Sequence, residues 1–330
     1  MRRLAVLPPL VLLLAAAAPA AAQGAVPSTP APPPVAPAAA AGKLAVSLER
    51  VNGAAAAVLA GERFRVRGSV SPFVAGQRVV VRIYRGTRKL ATGSVTVEPA
   101  GAGSRGTFLV GFSAGRPGHL VVRASHRATP QQATLVARAR GVDALPRRVR
   151  PGSRGTAVRM LQRRLRALGY VVGAPGVFDA RTARAVMAFR KVTGLPRTFA
   201  ASTDVLRRVA RGGGAFRVRY PRHGRHVEAD LSLQVLALIR GRRVERIYPI
   251  SSGKPSTPTV LGTFRVYSKP PGTNEKGMVF TSYFHGGYGI HGYADVPAFA
   301  ASHGCLRVPV PEAVPIYSWL QFGDIVDVYS

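Results

Sequence analysis

The chain has 330 residues, 47 Lys and Arg against 14 Asp and Glu, a formal charge of +33, and 47% hydrophobic residues. That length and apolar content exclude both a single small domain and an unfolded polyelectrolyte, and suggest two or three domains. The charge favours anionic surroundings, but basic residues are spread over every segment and no P-loop, zinc-finger or aromatic-plus-basic motif is visible, so no nucleic-acid partner is expected.

Arg2 and Arg3 precede an apolar run, Leu4 to Ala18, and Ala20-Ala21-Ala22 forms a small-residue exit. Residues 1–22 therefore read as a secretory signal peptide cleaved after Ala22. The run is short for a spanning helix of about 20 residues, so no stable membrane span is expected after cleavage. The signal implies export, to the periplasmic or extracellular face. Residues 23–42, rich in Pro, Ala and Ser, read as a semi-extended linker.

Residues 43–141 carry short alternating runs such as Leu44-Ala45-Val46-Ser47-Leu48 and Phe64-Arg65-Val66-Arg67. About seven strands separated by Gly/Ser/Pro turns predict a β-sandwich-like domain. No catalytic constellation stands out in it, and its ligand is not legible.

Residues 145–211 change to helical spacing. Val158, Leu161, Leu165 and Leu168 recur on one face, and Gly169 ends that helix. A second helix is predicted after Asp179, which suits an N-cap, with Thr182, Ala185, Val186 and Phe189 on its inner face. A third runs from about Ser202 to Ala210. Leu161-Gln162-x-x-Leu165-x-x-Leu168-Gly169-Tyr170 followed by Gly176-Val177-Phe178-Asp179-x-x-Thr182 resembles the three-helix peptidoglycan-binding module of wall enzymes. The resemblance implies a small three-helix bundle that holds peptidoglycan. Gly212-Gly213-Gly214 reads as a flexible joint before the last segment.

Residues 215–330 are mainly β, with one helix expected from about Val310 to Leu320. Cys305 is the only cysteine, so it cannot form an internal disulfide. It sits in Ser302-His303-Gly304-Cys305-Leu306-Arg307, 14 positions after His291. A free thiol is only slightly ionised at neutral pH, and an imidazole that takes its proton makes it a nucleophile. His291, from a separate strand, is the expected base. His303, two positions from Cys305, shares its face if the segment is extended, and is expected to shape the pocket or assist the oxyanion site. Backbone N–H groups of Gly304 and Cys305 are expected to donate to a tetrahedral oxyanion. Arg307 is expected to grip a substrate carboxylate through a two-point bond. Zinc is the rival for such a cluster, but no second cysteine or acidic pair supports a closed site, so neither metal nor cofactor is expected.

Four blocks occur in order: Ala229-Asp230-Leu231-Ser232-x-Gln234-Val235-Leu236, Ser256-Thr257-Pro258-Thr259-Val260-Leu261-Gly262-Thr263-Phe264, Gly286-Gly287-Tyr288-Gly289-Ile290-His291-Gly292, and Ser302-His303-Gly304-Cys305-x-Arg307. Together they resemble the L,D-transpeptidase catalytic domain, the YkuD-like family. The resemblance implies a cysteine enzyme that acylates itself on a peptidoglycan stem tetrapeptide, expels D-alanine and passes the acyl group to a neighbouring stem as a 3→3 crosslink. Water as acceptor gives carboxypeptidase activity. It carries catalysis onto Cys305, His291 and His303, and substrate binding onto Arg307, Ser302 and Tyr288. The expected partners are stem peptides and anionic wall polymers; the acceptor amine and the oligomeric state are not legible. The family places Ser or Gly after the upstream histidine. Here it is Gly292, so a backbone carbonyl must orient the imidazole. The competing reading is a non-catalytic peptidoglycan-binding or adhesion protein whose last domain has lost turnover; the intact motif argues against it.

Overall fold

The computed structural model describes residues 39–49, 51, 56–101 and 103–330. The expected signal peptide, 1–22, and nearly all of the expected linker, 23–42, lie outside them.

Ten strands come first: β1 (Lys43–Glu49), β2 (Ala57–Leu59), β3 (Arg63–Ser71), β4 (Arg78–Arg85), β5 (Arg88–Thr96), β6 (Glu98–Pro99), β7 (Gly106–Ser113), β8 (Gly118–His126), β9 (Leu135–Val136) and β10 (Arg140–Leu145). One sheet runs β1-β3-β7-β6 and the other β2-β10-β8-β4-β5, with β9 on β8. Alternation puts Phe64, Val66 and Val70 of β3 opposite Val79, Val81 and Ile83 of β4 in one shared apolar core. Strand β10 continues to Leu145, four residues past the edge expected at 141. Its last three residues pair in parallel with β2.

Three helices follow: α1 (Thr156–Ala167), α2 (Ala180–Val192) and α3 (Thr203–Ala210). The Asp179 carboxylate accepts from the Thr182 N–H at 2.8 Å and so caps α2. The Gln162 amide, fully inside, spans the Ala174 and Val177 carbonyls and the Thr182 hydroxyl.

The last segment contains β11 (Arg225–Asp230), β12 (Val235–Arg240), β13 (Arg243–Pro249), β14 (Gly262–Arg265), β15 (Val279–His285), β16 (Tyr288–Tyr293), β17 (Leu306–Pro309), α4 (Val310–Trp319) and β18 (Ile325–Tyr329). Five strands order as β13-β12-β11-β18-β14 and three as β15-β16-β17. Ile290, Leu306 and Val308 pack with Ile316 and Leu320, so one face of the small sheet is core. Strand β17 is absent from the sequence reading.

The helices do not sit apart. Their core is continuous with Leu59 and Leu145 on one side and with Val235, Ala237, Ile239 and Ile247 on the other. Lys191 of α2 is buried and its Nζ donates to the carbonyls of Gln234 (3.0 Å) and Ile250 (2.9 Å). The glycine run is not a free joint either. The Tyr170 hydroxyl donates to the Gly214 carbonyl at 2.6 Å, and a Cβ at Gly214 would lie 2.2 Å from the Phe189 ring. Glycine is there because an aromatic ring occupies the side-chain space.

Candidate active site

Strands β16 and β17 pair in parallel, with Ile290 opposite Leu306 and His291 opposite Arg307. Because Ile290, Leu306 and Val308 face the core, period-two alternation turns His291 and Arg307 to the other face. Cys305 lies one residue before β17, at the end of the bend that precedes it, and the Arg307 charge acts on both its thiol and the His291 imidazole. Two strands of six and four residues thus carry imidazole and guanidinium side by side, with the thiol in the bend that leads into the second.

The His291 ring is buried, and its Nδ1 lies 2.9 Å from the carbonyl of Gly292. A carbonyl only accepts, so Nδ1 carries the proton and Nε2 keeps a lone pair. The orienting carbonyl that the sequence demanded is thus the neighbour's own. Gly292 has no room for a serine: a Cβ there would lie 2.7 Å from the Ala313 methyl on α4. The Tyr293 ring stands edge-on to His291 at 5.7 Å, and Arg307 stacks over Tyr293 at 4.0 Å.

Cys305 is half-buried, and its thiol points to the Gly287 carbonyl at 3.5 Å. Burial pushes the thiol pKa up, and the Gly289 N–H and the Arg307 and Lys276 charges offset only part of that. Burial pushes the imidazole of His291 down, helped by Arg307 and opposed by the Gly292 carbonyl. Both shifts favour a neutral thiol beside a neutral imidazole. Burial thus opposes a resting thiolate–imidazolium pair, and the Arg307 charge adds to that opposition at the imidazole.

The turn before Cys305 is bent, not extended, since Gly304 has φ +118°. His303 accordingly does not share the face of Cys305. Its exposed ring meets the Lys254 ammonium at 3.4 Å through Nε2. Lys254 was not singled out from sequence. Ser302 also departs from its expected role. It is 1% exposed, its hydroxyl donates to the Cys305 carbonyl at 2.6 Å, and it accepts from the Gly304 N–H at 3.0 Å. It shapes the turn and is closed to substrate. The same bond occupies the Gly304 N–H, one of the two donors expected for the oxyanion. Gly304 instead makes space: a Cβ there would lie 2.6 Å from the Tyr288 ring. Tyr288 is half-buried and covers the turn, with His285 tilted against it at 6.1 Å.

A second layer holds this turn. Thr259 is buried; its hydroxyl donates to the Gly304 carbonyl at 2.7 Å and accepts from the Gly253 N–H at 2.8 Å. The Thr257 hydroxyl donates to the Ser302 carbonyl at 3.0 Å. The backbones of Ser251 and Arg307 exchange two bonds, and the Ser252 carbonyl accepts from Ala301 and Ser302. The Ser-Thr-Pro-Thr block is therefore the buttress of the cysteine turn. Among the described residues, no three His, Cys, Asp or Glu side chains gather as a metal-binding group.

Residues 224–328 match the family model described as the L,D-transpeptidase catalytic domain, and residues 154–207 match that of a putative peptidoglycan binding domain. A crystal structure of an L,D-transpeptidase (its residues 123–326) from Xylanimonas cellulosilytica is similar at 32% identity. The match covers 56% of this chain and 98% of that one, with a TM-score of 0.52. The catalytic domain of the L,D-transpeptidase of Enterococcus faecium matches at 27% identity over 32% of this chain and 98% of that one, with a TM-score of 0.29. No curated protein matches.

Proposed function

Because this chain belongs to the L,D-transpeptidase family, we propose that it is an exported enzyme that crosslinks peptidoglycan through a thioester on Cys305. Family membership and the accompanying peptidoglycan-binding domain support a cell-wall transpeptidase with peptidoglycan as partner. The observation that carries the chemistry is the pairing of β16 with β17, which sets His291 opposite Arg307, two positions past Cys305, with the imidazole held as the tautomer that accepts a proton.

In this reading the thiol proton passes to His291 Nε2 as Sγ attacks the carbonyl of the third stem residue. The tetrahedral oxygen takes the Cys305 N–H. Collapse breaks the amide, and His291 returns the proton to the departing D-alanine amine. An amine of a second stem then attacks the thioester, His291 takes its proton, and the thiol is restored. Water in place of that amine gives a trimmed tripeptide. Arg307 faces the pair and suits the carboxylate of the donor stem. Tyr288 walls the entrance, and Lys254, in contact with His303, brings a positive charge to the cysteine turn. The excess of basic side chains favours retention among anionic wall polymers. No helix among the described residues is long and apolar enough to cross a membrane.

The test is incubation of the chain with a defined stem tetrapeptide, followed by intact-protein and product mass analysis. An adduct equal to the tripeptide acyl group, free D-alanine and 3→3 dimers are expected. Cys305→Ala should give none of them. No D-alanine from the unaltered chain, or an adduct that survives Cys305→Ala, would point to the non-catalytic wall-binding reading.

A further inference from the structure

We propose that the β-domain carries a binding pocket for a phosphodiester of a polyol- or sugar-phosphate polymer. A cavity of about 580 Å³ opens at one end of the two sheets. Its floor is apolar, made by Ile83, Phe112 and Leu120, all buried core residues. Its rim holds four arginines: Arg63 at the start of β3, Arg85 at the end of β4, Arg88 at the start of β5, and Arg116 in the turn before β8. No carboxylate lines it, and none of the four forms an ion pair among the described residues.

One of these guanidiniums is held in place. Arg85 Nη2 donates to the Arg116 carbonyl at 2.7 Å. Its Nε is buried and has no acceptor. Gly118, at φ +146°, leaves space beside it: a Cβ there would lie 3.0 Å from Arg85 Nε. Four cations around one concavity repel each other, and an anion in it relieves that repulsion. A phosphoryl group accepts from several planar forks together, which a single carboxylate does less fully. The apolar floor suits the uncharged carbon face of a polyol or sugar next to the phosphate. A chain of such units brings repeated charge to a chain that carries +33. The polymer's identity rests on the wall location proposed above; the pocket does not depend on the thiol chemistry.

The experiment is calorimetric titration of the full chain with poly(glycerol phosphate) at near-physiological salt, with poly-glutamate of equal charge as comparator. Arg63 and Arg88 are exposed and carry no fold-supporting bond, so Arg63→Gln/Arg88→Gln tests the pocket without unfolding it. Affinity should fall about tenfold or more, as loss of charge-assisted bonds to phosphate requires. Arg222→Gln/Arg242→Gln removes the same charge from exposed positions in the last segment and should change affinity by less than about threefold. Arg85→Lys keeps the charge, loses the fork, and should also weaken binding. Equal loss in both double variants, equal affinity for poly-glutamate, or binding only to anionic phospholipid vesicles would overturn the proposal. The pocket variants should acylate on tetrapeptide as the unaltered chain does. A failed acylation with intact polymer binding would count against the enzyme reading alone.

Discussion

At Cys305 and His291, burial acts on both groups in the direction of neutrality, and this sets the pH behaviour of the thiol. Its pKa lies above the ordinary 9.0 and that of the imidazole below the ordinary 6.5. Iodoacetamide alkylation, which needs thiolate, should therefore rise only in alkaline solution, and ultraviolet thiolate absorbance should be missing at neutral pH. The acid limb of the transpeptidation rate should fall below pH 6.5, because the imidazole stays unprotonated to lower pH. Arg307 lowers both pKa values, so Arg307→Met should move the alkylation onset still higher. An unmoved onset would show that Arg307 is electrostatically remote from the sulfur. Ser302 offers a different test. Its hydroxyl is committed to the turn, so Ser302→Ala should lower kcat roughly tenfold with little change in KM. A raised KM with kcat unchanged would restore the substrate contact expected from the motif. The motif residues were legible because nucleophile, base and glycine lie in a short, chemically distinctive string. The inward turn of Ser302 was not, since a hydroxyl reads alike whether it faces ligand or backbone.

Among the elements, β11 and its flanking strap form a buried polar clasp. The Glu228 carboxylate accepts from the Arg219 and Tyr220 N–H groups and the Tyr329 hydroxyl, and meets His226 Nε2 at 3.2 Å. Beside it His223 bonds Asp327 at 2.9 Å and stacks on Tyr220. Burial alone would raise Glu228, but these donors outweigh it and lower its pKa. Burial alone would lower His226, but Glu228, the Gly224 carbonyl and Asp327 raise it. The carboxylate stabilises the fold above its unfolded pKa of 4.5 and loses that contribution as pH falls through its lower folded value. The imidazole contributes below 6.5 and loses it as pH rises through its higher folded value. Both act together between about 4.5 and 6.5, where thermal stability should peak if the clasp dominates. Glu228→Gln should flatten that peak and cost roughly 3 kcal/mol in denaturant unfolding. The three helices and most strands were legible from periodicity and caps. Strand β17 was not: Leu306-Arg307-Val308-Pro309 is four residues ending in proline, and it pairs in parallel with β16, so no hairpin turn marks the pair.

On the scale of the whole molecule, the sequence reading divides the chain into beads, and the packing joins them. Val235, Ala237, Ile239 and Ile247 are at most 1% exposed because the helices cover them. An excised 215–330 fragment would present that face to water, so it should aggregate or unfold well below the full chain's Tm, while a fragment beginning near 145 should not. Which residues are apolar was legible; which neighbour they meet was not, because periodicity reports a face and never its partner. Lys191 at this junction has its pKa lowered from 10.5 to about 7, first by burial and then by the Arg197 charge. The cost of keeping it charged is present in full below pH 7 and is relieved as pH rises toward 10.5, so the junction should tighten in mild alkali. Lys191→Met should remove that rise from the pH dependence of unfolding.

The Lys191 side chain also ties two parts of the molecule together. It clamps α2 to Gln234 and Ile250, and the chain runs from Ile250 directly into the buttress of the cysteine turn. The helices and the cysteine turn are therefore joined by side-chain bonds as well as by chain, and a change at this lysine should be felt at the turn.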